Sequence, residues 1–139
     1  NMLKDKLHRK ISASGLDATT RYDLHTQLEG LPKHKKVCHG DLRPSNIIIT
    51  PEGVPYILDW SHAAQGNASS DTAETYLTMC MAGDREGAEK YLELFCQKSD
   101  TAKQYVQKWM PVVAAARLGR CEKEQQEFLR TWVNVVDYQ

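Results

Sequence analysis

The chain lacks a long apolar run, an excess of charge of either sign, and any close pairing of cysteines. No segment approaches the roughly 20 apolar residues that span a bilayer as a helix. No signal-peptide core is visible at the start, where Lys4, Asp5, Lys6, His8, Arg9 and Lys10 interrupt any apolar stretch. Asn1 ahead of Met2 reads as a tag remnant. Lys plus Arg number 18 and so do Asp plus Glu. A general binder of nucleic acid or of acidic membrane carries a basic excess, so neither class is expected. Cys38, Cys80, Cys96 and Cys121 are scattered, with no C-x-x-C pair and no Cys/His cluster at zinc spacing. Free thiols in a cytoplasmic protein are the expectation. Asn67-Ala68-Ser69 matches a glycosylation sequon, which carries no weight without a secretory signal. Internal repeats and low-complexity segments are also missing.

What remains is a single soluble domain: 139 residues, 41% hydrophobic and 26% charged. The expected fold is mainly α with one central β-hairpin. Leu3, Leu7 and Ile11 mark one face of a helix over 3–13. Asp17 is placed to cap a helix over 18–29, with Tyr22, Leu24 and Leu28 as its apolar positions; Gly30 and Pro32 stop it. Lys33-His34-Lys35-Lys36 reads as a solvated loop, with a phosphate contact as the alternative. Thr50-Pro51-Glu52-Gly53 is a turn signal between two apolar runs, Ile47–Ile49 and Tyr56–Leu58, and predicts the hairpin. Four helices follow: 72–82 capped by Asp71, 85–97 capped by Asp84, 101–119 capped by Ser99 or Asp100, and 122–137. Pro111 should kink the third or mark a junction between two helices. The last carries Phe128, Leu129, Trp132, Val133 and Val136 at core spacing. The chain thus divides into leading helices over 1–36, a polar hairpin segment over 37–60, and a helical subdomain over 71–139.

The chemistry concentrates in residues 37–60. Asp41 and Asn46 stand at the D-x-x-x-x-N spacing of a kinase-type catalytic loop. A phosphoryl acceptor needs a carboxylate that orients its hydroxyl and takes the proton. A neutral amide oxygen nearby can ligate Mg2+ without adding negative charge beside phosphates. Asp59, after the second strand, is the carboxylate suited to hold the metal, and a hairpin returns residue 59 to the neighbourhood of residue 46. His39 reads as a support that packs under the site and bonds backbone, rather than as a base. For Arg43 two readings stand, a phosphate or substrate contact and a structural salt bridge.

His39-Gly40-Asp41-Leu42-Arg43-Pro44-Ser45-Asn46-Ile47 resembles the H-G-D-[LFI]-x-P-x-N-[IL] signature of the aminoglycoside phosphotransferase / choline kinase superfamily. Ile57-Leu58-Asp59-Trp60 resembles its [IV]-[IL]-D-[WF] segment, and Ala63, Gly66 and Asp71 continue the pattern without gaps. The resemblance runs from about residue 15 to the end. It implies the C-terminal lobe of a protein-kinase-like fold, with Asp41 as catalytic base, Asn46 and Asp59 as Mg2+ ligands, and Asp71 bracing the metal loop. Gly40 replaces the arginine that protein kinases use to read a phosphorylated activation loop. Ser61-His62, Asn67-Ala68 and Thr72 depart from the family pattern and leave the subfamily open.

The resemblance also implies an N-terminal lobe that clamps ATP, and that lobe is expected to lie outside this sequence. Neither a Gly-rich phosphate loop nor a V-A-I-K strand precedes His39. The expected activity is transfer of phosphate from ATP, with Mg2+, to a hydroxyl of a small molecule such as an aminoglycoside, an amino alcohol or a sugar. The lobe alone is expected to be inactive. The alternative is a non-catalytic helical binding or regulatory domain derived from such a kinase. A cationic acceptor would call for acids such as Glu89 or Glu124, and for Tyr76, Trp109 or Trp132 as stacking partners; a solvated face and core packing are the competing readings of those residues. The substrate-binding residues stay unassigned. An apolar lobe interface predicts a possible homodimer.

Overall fold

A computed structural model describes residues 3–134. Helix α1 (Leu3–Ser12) and helix α2 (Ala18–Gly30) lead the chain. Asp17 caps α2 by accepting from the Thr20 N–H at 2.7 Å. Leu7, Ile11, Leu24 and Leu28 are buried between them and the rest of the core, but Tyr22 is 71% exposed and belongs to no apolar face. Two small antiparallel sheets follow, where a single hairpin is expected. Strands β2 (Ile47–Ile49) and β3 (Pro55–Ile57) form that hairpin, with Ile48 opposite Tyr56. Its turn closes through Gly53 N–H to Thr50 O at 2.8 Å, with Gly53 at φ +85°. The second sheet pairs β1 (Lys36–Cys38) with β4 (Ala64–Gly66), Val37 lying opposite Gln65. Ala-Gln-Gly has no β-branched or aromatic residue, so β4 leaves no local signal; the pairing with β1 makes it a strand.

Helix α3 (Ala68–Met81) starts four residues before the expected 72. Its cap is Asn67, not Asp71. The Asn67 side chain accepts from the Ser69 N–H at 2.9 Å and donates to the Tyr105 hydroxyl at 2.8 Å. Helix α4 (Arg85–Ser99) is capped by Asp84, which accepts from the Gly87 N–H at 2.8 Å. Asp100 closes α4 in the left-handed conformation (φ 54°, ψ 46°) instead of opening the next helix. The expected helix over 101–119 is two, α5 (Lys103–Gln107) and α6 (Met110–Arg117), with Pro111 in the first turn of α6. There its missing N–H has no helical partner to lose. A 3-10 turn (Leu118–Arg120) leads to α7 (Lys123–Val133). Val136 and the Asn1-Met2 start lie outside the described residues.

The core is helical. Met110 through Ala116 are buried in succession, and α1, α3 and α7 pack around them. Trp109 is fully buried and Tyr76 is 2% exposed, so both belong to the core and neither offers a stacking face. Trp132 meets the Tyr76 ring edge-on at 6.1 Å. The hairpin sits outside this packing, as a shelf carried by its connections.

Candidate active site

Two strand pairings build the site. The β1–β4 pair joins the segment entering His39 to the segment leaving His62, so both ends of the polar stretch are held together. The β2–β3 pair returns the chain so that Leu58 N–H donates to Asn46 O at 2.8 Å. Asp59, the next residue, therefore lies at the same end of the hairpin as Asn46. A 3-10 turn over Pro44–Asn46, with Pro44 fixing its first φ, swings Asn46 back toward Asp41.

At that end the side chains take separate parts. Asp41 is half-buried. Its Oδ1 accepts from Arg43 Nε at 3.0 Å and Nη2 at 2.8 Å, while Oδ2 has one long contact, Asn46 Nδ2 at 3.4 Å. The Arg43 fork thus fixes the carboxylate through one oxygen and leaves the other open to a ligand. Of the two readings for Arg43, this geometry is the salt bridge. Asn46 Nδ2 also donates to the Asp41 carbonyl at 2.8 Å. With its nitrogen so used, the amide oxygen of Asn46 makes no hydrogen bond among the described residues. Asp59 is exposed and sits at φ 57°, a backbone region that non-glycine residues seldom occupy. The Ser61 hydroxyl donates to Asp59 Oδ1 at 2.7 Å. That bond, then the Ser61 amide, holds the carboxyl below its ordinary pKa, with smaller contributions from His62 and His39.

His39 is the tie between the halves. Its Nδ1 accepts from the Asp41 N–H at 3.1 Å and its Nε2 donates to Leu58 O at 2.8 Å, which fixes the Nε2–H tautomer. Trp60 packs against the ring at 4.6 Å. Beneath the loop, Asp71 reaches up from the first turn of α3. Its oxygens accept from the His39 N–H at 2.8 Å and the Gly40 N–H at 2.9 Å. Gly40 needs to be glycine on two counts: φ is +89°, and a Cβ would stand 2.5 Å from the His62 carbonyl oxygen. Cys38 beside it is buried, and burial, then Asp71, pushes its thiol up to about 12; it is no nucleophile.

Residues 4–109 match the model of the phosphotransferase enzyme family (APH). The chain belongs to the phosphotransferase enzyme family. Neither a curated protein nor a solved structure matches it. Kinases of this family generally use Mg2+, and the oxygens that this end of the hairpin could offer one are the exposed Asp59 carboxylate and the uncommitted Asn46 amide oxygen. Among the described residues no cluster of three His, Cys, Asp or Glu forms a closed metal cage. The set fits Mg2+, which keeps waters and substrate oxygens in most of its positions, and does not fit a metal enclosed by protein alone. Two contributors left weak traces in the sequence. Ser61 sits two residues after Asp59, and Arg43 two after Asp41; each spacing suits a local hydrogen bond, but neither announces one.

Proposed function

We propose that this chain is the catalytic lobe of a small-molecule kinase that transfers the γ-phosphate of ATP to a hydroxyl group. The observation that supports it is the gathering of Asp41, Asn46 and Asp59 at one end of the β2–β3 hairpin, tied by His39. Asp41 Oδ2 orients the acceptor hydroxyl and takes its proton, while Arg43 keeps the other oxygen fixed. Asn46 and Asp59 would hold Mg2+, which would supply neutralisation of phosphate charge. The Ser61 hydrogen bonds favour the charged form of the Asp59 carboxylate. Asp71 and His39 support the loop without touching substrate.

The nucleotide clamp is the part these residues do not supply. Eight of the ten large apolar side chains exposed among the described residues fall within 37–60, Ile48, Ile49, Tyr56 and Ile57 among them. In our reading a second lobe covers this face and closes on ATP. One lobe presents base and metal ligands but lacks most of the positioning on which phosphoryl transfer depends. Turnover by the chain alone should therefore be negligible. A cytoplasmic location fits the thiols, all four of which are free, and no helix among the described residues is long and apolar enough to cross a membrane.

The test is a phosphotransfer assay with ATP, Mg2+ and a panel of hydroxylated acceptors, run on the chain and on the longest natural form of the protein. Phosphorylated product from the long form, abolished by Asp41→Asn, supports the reading. Robust turnover by residues 1–139 alone overturns the one-lobe account. Dimer formation through the apolar face, tested by sedimentation, is the competing way to cover it.

A further inference from the structure

Apart from the site, a cleft between α1 and the end of α6 carries more cations than acids. Four cations face it: Lys6 and Lys10, one turn apart on α1, and Arg117 and Arg120, at the end of α6 and in the turn beyond. Only two acids line it, Asp71 and Glu74. Both are already committed. Asp71 accepts from the His39 and Gly40 amides. Glu74 pairs with Arg117, which also donates to Thr78 Oγ1 at 2.8 Å. Lys6 is committed in turn, donating to the His62 carbonyl at 3.0 Å. Lys10 and Arg120 have no hydrogen-bond or ion-pair partner among the described residues.

Lys10 is half-buried, and this is what makes the surplus informative. Its pKa is lowered first by burial, then by Arg120, with Lys6 and Arg117 adding and Glu74 alone opposing. An ammonium partly removed from water beside three like charges is under-compensated. An oxyanion seated among the four relieves both costs at once. The cleft also touches the site. Gly40, which precedes Asp41, and His62, three residues after Asp59, form part of its wall.

We propose that this cleft binds the anionic group, carboxylate or phosphate, of the hydroxylated acceptor. The proposal rests on the phosphotransferase reading of the Asp41 site and adds the acceptor's charge. It points away from cationic acceptors. Glu89, one acid considered for them, is taken by Tyr76, Arg85 and Lys103.

The experiment is a protein-observed NMR titration of the chain at constant ionic strength. Glycerate and glycerol 3-phosphate serve as probes, with glycerol and chloride as controls. Saturable shifts at the Gly40, His62 and Ser70 amides are expected with one or both anionic probes and with neither control. The stronger probe tells carboxylate from phosphate. Lys10→Gln/Arg120→Gln should bind about tenfold more weakly, the loss expected for one or two charge-assisted contacts. Should the double variant misfold, Arg120→Gln alone, at an exposed position, carries the comparison. Binding that ignores these substitutions, or no saturable shift with either anion, overturns the proposal. A Mn2+ titration of the same samples separates the two readings. Mn2+ broadening at Asn46 and Asp59 without anion binding removes the acceptor inference alone. Anion binding without such broadening removes the acceptor assignment together with the phosphotransferase reading.

Discussion

Helix α6 and strand β3 are the extremes of this molecule. Met110 through Ala116 are buried one after another, whereas Pro55, Tyr56 and Ile57 are all exposed. Both segments are apolar, so hydrophobicity alone does not separate them. What separates them is who their neighbours are. α6 has helices around it within this chain; among the described residues the hairpin packs chiefly on its own two strands. A lone two-stranded hairpin is marginal in water. This one is held by backbone pairing and by bonds from below: Leu58 to Asn46, His39 to Leu58, and Asp71 to the His39 and Gly40 amides. Stability resides in the helices and chemistry on the shelf, joined by a few charged hydrogen bonds.

The largest effect should come from the helical side. Leu77→Ala, at a fully buried position in α3, should cost about 2–5 kcal/mol in chemical denaturation. Ile49→Ala, at a position 67% exposed, should stay within about 0.5 kcal/mol. Equal losses from the two would break the contrast.

Next comes the join itself. Asp71→Ala strands two loop amides and should cost about 1.5–3 kcal/mol, with Asp71→Asn recovering part. Hydrogen exchange at the His39 and Gly40 amides should accelerate more than exchange within α6. Uniform acceleration would mean that Asp71 merely supports α3.

The smallest effect concerns pH. His8 and His25 share a hydrogen bond at 2.8 Å between their Nδ1 atoms, and His8 Nε2 reaches Glu29 at 2.7 Å. Burial, then His8 and Arg21, lowers the His25 pKa below its ordinary 6.5. The unfolded chain therefore binds a proton there more readily than the folded one. Stability from this group is full above about pH 6.5 and declines as pH falls through that value. His25→Asn should flatten that part of the stability profile. A profile that keeps its slope in the variant would place the titration elsewhere.

The sequence displayed the parts that local chemistry writes. Asp17 and Asp84 cap the helices expected of them, Pro111 marks a junction, and Thr50–Gly53 turns a hairpin. It did not display partners far away along the chain. Strand β4 exists because Ala64 meets Cys38. Asp71 stands where a cap is plausible by composition, yet its carboxylate serves amides more than 30 residues earlier, and Asn67 takes the cap instead. Asp100 ends a helix because the chain reverses there into the left-handed region, which an acid beside a serine does not announce. At the site, the residue types and spacing of Asp41, Asn46 and Asp59 were legible. The fork of Arg43 on Asp41 and the Ser61 bond to Asp59 needed coordinates.

The most direct measurement of the central claim is Mn2+ binding to this chain, followed by electron paramagnetic resonance in the wild type, Asp59→Asn and Asn46→Ala. The account predicts one weak site in the wild type, weakened about tenfold or more by either substitution. The unfolding midpoint of Asp59→Asn should stay unchanged, because that side chain is exposed on the shelf, whereas Asn46→Ala should lose about 1 kcal/mol with its hydrogen bond to the Asp41 carbonyl. Mn2+ binding that survives the loss of Asp59, or a wild type that takes up no Mn2+, would contradict it.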